Sequence, residues 1–157
     1  LVIGTAFGLG LVPIAPGSFA ALLGVLFHVL GYLFLPTAWF VPTMVALLLL
    51  TAYLNHLLTP WAETYWRKQD PGNFVLDEIA GYLMVPIFFH GASIWIAAPF
   101  GFLLFRILDI IKFPPANYFD RHVHGSWGIL IDDLISGLYA VALLYLGAYL
   151  GLFPYYS

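Results

Sequence analysis

Only thirteen of the 157 side chains carry charge, and long apolar runs separate them. A soluble domain has about 25% charged residues, whereas this chain has 8% and is 62% hydrophobic, so hydrocarbon is the solvent it suits. A bilayer span takes about 20 mostly apolar residues. The expected fold class is therefore all-α, a polytopic helical membrane protein with four to five membrane-embedded helices plus short re-entrant or interfacial segments. One domain over residues 1–157 uses up the length. There is no cysteine, which excludes disulfides, thiolate metal sites and cysteine nucleophiles. No basic leader followed by a small-residue cleavage pattern is recognised, so no signal peptide is expected.

Residues 1–12 are apolar but interrupted by glycines, and read as a short or re-entrant segment. The spacing then predicts a helix over 18–35, with Ser18 as N-cap and Pro36 as its stop. A second helix is predicted over 38–58, followed by a mixed aromatic and charged stretch at 61–68 that reads as interfacial. Asp70-Pro71-Gly72-Asn73 is the clearest turn in the chain. After it a short helix is expected over 76–89 and a fourth over 94–111, stopped by Pro114-Pro115. A polar loop over 117–128 leads to the last helix, 129–150. The third helix, at about 1.5 Å per residue, covers only ~20 Å of a ~30 Å hydrocarbon core.

Two helical hairpins place every charge on or near one membrane face. Glu63, Arg67, Lys68 and Asp70 follow the second helix, Asp77 and Glu78 open the third, and Arg106, Asp109 and Lys112 close the fourth. Asp120 and Arg121 lie in the next loop, and Asp132 and Asp133 open the last helix. Because all five Lys and Arg share that face, the positive-inside rule makes it cytoplasmic. The chain is therefore expected to cross its membrane several times, with the charged face toward the cytoplasm.

Surface charge is an adequate account of Glu63, Asp70 and Asp120. It fits Asp77, Glu78, Asp109, Asp132 and Asp133 less well, since they lie within apolar runs where a charge costs up to about 2.5–3.5 kcal/mol. Acids also favour the first turn of a helix, but several converging pairs repel unless a cation sits among them. Oxygen donors without sulfur point to a hard ion, Mg2+ first. Arg106, Asp109 and Lys112 fall at i, i+3 and i+6. That spacing allows an internal salt bridge, or an Asp facing metal while Arg and Lys face an anion. Arg121, His122 and His124 could add donors, and the helix start at Ser18 could hold a phosphate. His28, His56 and His90 stand alone in apolar runs and read as packing or hydrogen-bonding residues.

The segments GLVPIAPGS (10–18), LDEIAG (76–81), FRILDIIKFPP (105–115) and FDRHVHGSWGILIDDLISG (119–137) together resemble the phosphatidylglycerophosphatase A family over nearly the whole chain. That family favours Thr where Ser18 stands here, which keeps the hydroxyl. The resemblance implies Mg2+-dependent removal of the terminal phosphate of phosphatidylglycerophosphate, and a bacterial inner (plasma) membrane as the location. Its motif positions include Asp77, Glu78, Asp109, Asp120, Asp132 and Asp133, with basic Arg106, Lys112 and Arg121. The expected catalytic residues are Asp77, Glu78, Asp109, Asp132 and Asp133. Asp77, Glu78, Asp109 and Asp133 are expected to hold Mg2+, and Ser18, Arg106, Lys112, Arg121 and His124 the substrate. The partners expected are this anionic phospholipid and membrane lipid, with no nucleic acid. A cation transporter or channel with a carboxylate site is the rival reading.

Overall fold

The computed structural model describes residues 1–123 and 125–155, with the side chains of Asp120 and Arg121 left aside. Among them a 3-10 turn at Leu9–Leu11 precedes six helices: α1 Pro16–Phe34, α2 Thr37–Trp66, α3 Leu76–Phe88, α4 Ile94–Ile111, α5 Ala116–His122 and α6 Ser126–Tyr149. No strand occurs among the described residues. Helices α1, α2, α4 and α6 are each long and apolar enough to cross a bilayer.

The short helix α3 is central and packs against α1, α2, α4 and α6. Of its 13 residues, Leu76, Asp77, Ile79, Ala80, Gly81, Tyr82, Leu83, Val85 and Pro86 are buried. A helix apolar on all sides belongs inside a bundle, and one that meets protein all round has no need to match the hydrocarbon thickness. Tyr82 and Val85 form one core with Phe105 of α4 and Leu144 of α6. Leu76, Ile79 and Leu83 form another with Ala20 of α1 and Met44 and Ala62 of α2.

Helices α3 and α6 meet through glycine. A Cβ at Gly81 would stand 2.8 Å from the carbonyl oxygen of Asp133, and one at Gly137 would collide with the carbonyl oxygen of Gly81. Small residues at such crossings let helix backbones come together. Gly81 lies one turn after Asp77, and Gly137 one turn after Asp133. The close crossing therefore draws those two carboxylates to the same end of the bundle.

Several boundaries depart from the sequence reading, each for a local reason. Helix α1 begins at Pro16, with Ala15 in a left-handed conformation (φ 50°) as its N-cap and no side-chain cap. Proline is tolerated at a first helical position because its missing N–H would have no partner there. Ser18, expected as the cap, instead lies inside the first turn. Helix α2 continues through Pro60 to Trp66. Proline denies the carbonyl four residues back its donor, but hydroxyls tie the adjoining turns: Thr59 Oγ1 donates to Asn55 O at 2.6 Å and Thr64 Oγ1 to Pro60 O at 2.8 Å. The stretch expected as a polar loop contains α5, in which the rings of Tyr118 and His122 stack one turn apart at 4.4 Å.

Candidate active site

Three helix ends converge on one end of the bundle. Helix α3 contributes Asp77 and Glu78 in its first turn, where the helix dipole favours negative charge. Helix α4 contributes Arg106 and Asp109 in its last turns, with Lys112 at its C-cap. Helix α6 contributes Asp132 and Asp133. Because α6 starts at Ser126, these two lie beyond its first turn, which holds no acid. Capping and the dipole, which act within a first turn, thus do not account for them.

Asp77, Asp109, Asp132 and Asp133 are all buried. With Glu78 and Lys112 they line a single cavity of about 210 Å³, completed by Asp70, Gly72, Phe74 and Ile110. Asp109, Asp132 and Asp133 each offer a carboxylate oxygen within 4.8 Å of the others, a grouping suited to a metal ion. Oδ1 of Asp77 and Oδ2 of Asp133 are buried and have no hydrogen-bond partner. Such oxygens cost free energy unless something compensates them.

The two cations are engaged by the same acids. Arg106 Nη1 donates to Glu78 Oε2 and, at 2.7 Å, to Asp109 Oδ2, while its Nε donates to Ser18 Oγ at 3.2 Å. This one side chain joins α1, α3 and α4. Lys112 Nζ pairs with Asp132 Oδ2. Glycine at position 17 makes room for the arrangement, since a Cβ there would overlap the Glu78 carboxylate. The start of α6 is fastened to α2 by buried Asn55, whose Nδ2 donates to Ser126 O at 3.2 Å, and by His56, whose Nδ1 lies 2.7 Å from Ser126 Oγ. The turn bearing Asp70 is held by the N-terminal segment: Asn73 Nδ2 donates to Gly10 O at 2.7 Å and Val75 N to Gly4 O at 3.1 Å.

Of the residues singled out in the sequence, Asp77, Glu78, Asp109, Asp132, Asp133 and Lys112 share the cavity, and Ser18 and Arg106 adjoin it. His124 and the side chains of Asp120 and Arg121 lie outside the described residues. Asp132, which sequence reasoning left out of the metal set, belongs to the closest carboxylate trio. Asp70 and Ile110 also border the cavity without having been expected there. The turn chemistry at Asp70 was the one available signal for the first. The isolated histidines serve as hydrogen-bonding residues: His28 Nδ1 lies 2.9 Å from Tyr82 Oη, and His90 Nε2 3.1 Å from Ile87 O.

Comparison with known proteins identifies relatives of the chain. The profile of the family described as phosphatidylglycerophosphatase A matches residues 2–148. The Escherichia coli K12 phosphatidylglycerophosphatase A is 34% identical over 146 residues, covering 92% of this chain and 80% of that protein. The Haemophilus influenzae protein of the same name is 32% identical over 145 residues, covering 92% and 85%. A Bacteroides thetaiotaomicron protein named as a candidate phosphatidylinositol-3-phosphatase is 32% identical over 148 residues, covering 92% and 90%. No solved structure gives a significant match. A membrane protein with this profile and these relatives belongs to the phosphatidylglycerophosphatase A family and is a lipid phosphatase, a hydrolase of phosphoric monoesters.

Proposed function

We propose that the chain hydrolyses the terminal phosphate of phosphatidylglycerophosphate with the help of Mg2+, giving phosphatidylglycerol and inorganic phosphate. The observation that supports this most is the gathering of Asp77, Glu78, Asp109, Asp132 and Asp133 with Arg106 and Lys112 at one cavity end. With Asp70 on the same cavity, six carboxylates against two cations leave a formal negative balance, which repels a phosphate monoester. A divalent cation reverses that balance, and the residues suit one. The donors are all oxygen, as hard ions require, and two buried carboxylate oxygens lack partners.

Asp109, Asp132 and Asp133 would hold the ion, with Asp77 and Glu78 beside them. When bound, Mg2+ supplies a Lewis acid for the phosphoryl oxygens and makes water a better acid. The chain's own groups do the rest. Lys112 and Arg106 bring positive charge toward the phosphoryl group, and the partnerless oxygens of Asp77 and Asp133 are placed to accept a proton from water. In the reaction a water oxygen bonds to phosphorus as one of its protons passes to a carboxylate, the bond from phosphorus to the glyceryl oxygen breaks, and that oxygen takes up the proton to leave as an alcohol.

The ion-conduit reading is disfavoured because buried Tyr82, Leu83, Val85 and Phe105 fill the layer beneath the carboxylates. Purified protein in detergent should release phosphate from phosphatidylglycerophosphate with Mg2+ and stop in excess chelator. Full activity in chelator would sink the metal, and release from phosphatidylinositol 3-phosphate alone would sink the substrate.

The proposal also sets the chain as a multi-pass protein with the acid cavity toward the cytoplasm, on the ground that every Lys and Arg lies toward that end. A single cysteine at Asn117 should then resist impermeant thiol reagents in intact cells and react after permeabilisation. Labelling in intact cells would reverse the topology.

A further inference from the structure

The acid cavity is polar on nearly every side, yet one of its walls belongs to the outside of the bundle. Ile110 lines the cavity together with Asp77, Asp109 and Lys112, and it is 71% exposed. The other large apolar residue there, Phe74, is only 2% exposed and belongs to the core. Consecutive residues on a helix point about 100° apart. The passage from buried Asp109 to outward Ile110 therefore carries the cavity wall from carboxylate to hydrocarbon in one step.

Below Ile110 the same helix face continues outward. Leu103, Ile107 and Ile110, at four- and three-residue spacing, are 53%, 51% and 71% exposed and lie one above another. An outward apolar stripe is ordinary on any spanning helix. What sets this one apart is that its upper end is also the rim of the charged cavity.

We propose that the cavity opens sideways past Ile110, and that the glyceryl and acyl end of a lipid phosphate lies along Leu103, Ile107 and Ile110 while its phosphate reaches the carboxylates. This rests on the lipid phosphatase reading and adds the substrate's route and its apolar subsite. The occupant is committed by continuity: a polar cavity joined at one residue to a hydrocarbon-facing stripe matches a molecule with a phosphate at one end and acyl chains at the other. From Leu103 to Ile110 the stripe rises about 10 Å, enough for the glyceryl group and the first methylenes of a chain.

Two measurements on the full-length protein test it. In the first, a phosphatidylglycerophosphate analogue carrying a diazirine near the glyceryl end of its acyl chain is photolysed with the protein. Adducts should fall on Leu103, Ile107 or Ile110 and be suppressed by excess phosphatidylglycerophosphate but not by phosphatidylcholine. In the second, Ile110→Asn should lower kcat/KM for the long-chain lipid about tenfold, the scale of one or two lost apolar contacts, mainly through KM. Leu138→Asn, on an outward position of α6 that does not line the cavity, should not.

Competed adducts on α1 or α2, or equal effects of the two substitutions, would overturn the lateral opening while leaving the phosphatase intact. A parent protein that releases no phosphate from any lipid phosphate would overturn the phosphatase reading itself.

Discussion

Asp133→Asn is expected to lower phosphate release by about 10²–10⁴-fold, the range that one positioned proton-transfer group contributes, and yet to melt no lower than the parent in metal-free detergent. Asp133 is buried, one of its oxygens has no hydrogen-bond partner, and its carboxylate lies within 4.8 Å of those of Asp109 and Asp132. Two such charges about 5 Å apart repel by roughly 3 kcal/mol at an effective dielectric of about 20. Asparagine nearly keeps the shape and removes the repulsion. Mg2+ should raise the melting temperature of the parent by binding the native state, and raise that of the variant less. Asp77→Asn should behave alike, because its Oδ1 is also buried without a partner. Variants that melt lower without metal while retaining activity would show that these acids hold helices together and that the chemistry is done elsewhere.

How far this site could be read from the sequence follows from how few charges there are. In a chain so apolar, each acid within a run stands out, and hairpin reasoning alone sends Asp77, Asp109 and Asp133 to the same end. The helices themselves were legible for the same reason. What escaped was set by tertiary contact or by the membrane's tolerance of irregular sequence. That α2 stays helical through Pro60 to Trp66 rests on Thr59 and Thr64, which tie the turns around it. The short α5 is too polar to show an apolar period. Gly81 and Gly137 are unremarkable residues in the sequence, and only the crossing of α3 with α6 gives them the task of bringing Asp77 and Asp133 level. Ile110 is one isoleucine among many until the cavity beside it is seen. The involvement of Asp132 shows another limit: two adjacent acids both line the cavity, and only the fold reveals that Lys112 at the end of α4 pairs with the first of them.

Arg106→Met should have the opposite thermal effect to Asp133→Asn, lowering stability by about 3–5 kcal/mol, as expected when one partner of a buried ion cluster is removed. The Arg106 side chain is 13% exposed, and its guanidinium holds Glu78, Asp109 and Ser18 at once. Without it, two acids already crowded by Asp133 lose their nearest positive charge, and α1 loses a tie to α4. Methionine keeps much of the length of the side chain, so the loss reports charge and hydrogen bonding more than packing. If the cost comes from stranded negative charge, Glu78→Gln added to Arg106→Met should recover a large part of it, a coupling that a double-mutant cycle measures directly. Activity should not return in the double variant, because the phosphoryl group still lacks the arginine's charge. Recovery of both would mean that Arg106 only neutralises Glu78. A single variant that melts like the parent would mean that solvent screens the cluster, and the balance of six acids against two bases would then no longer be an argument for a bound cation.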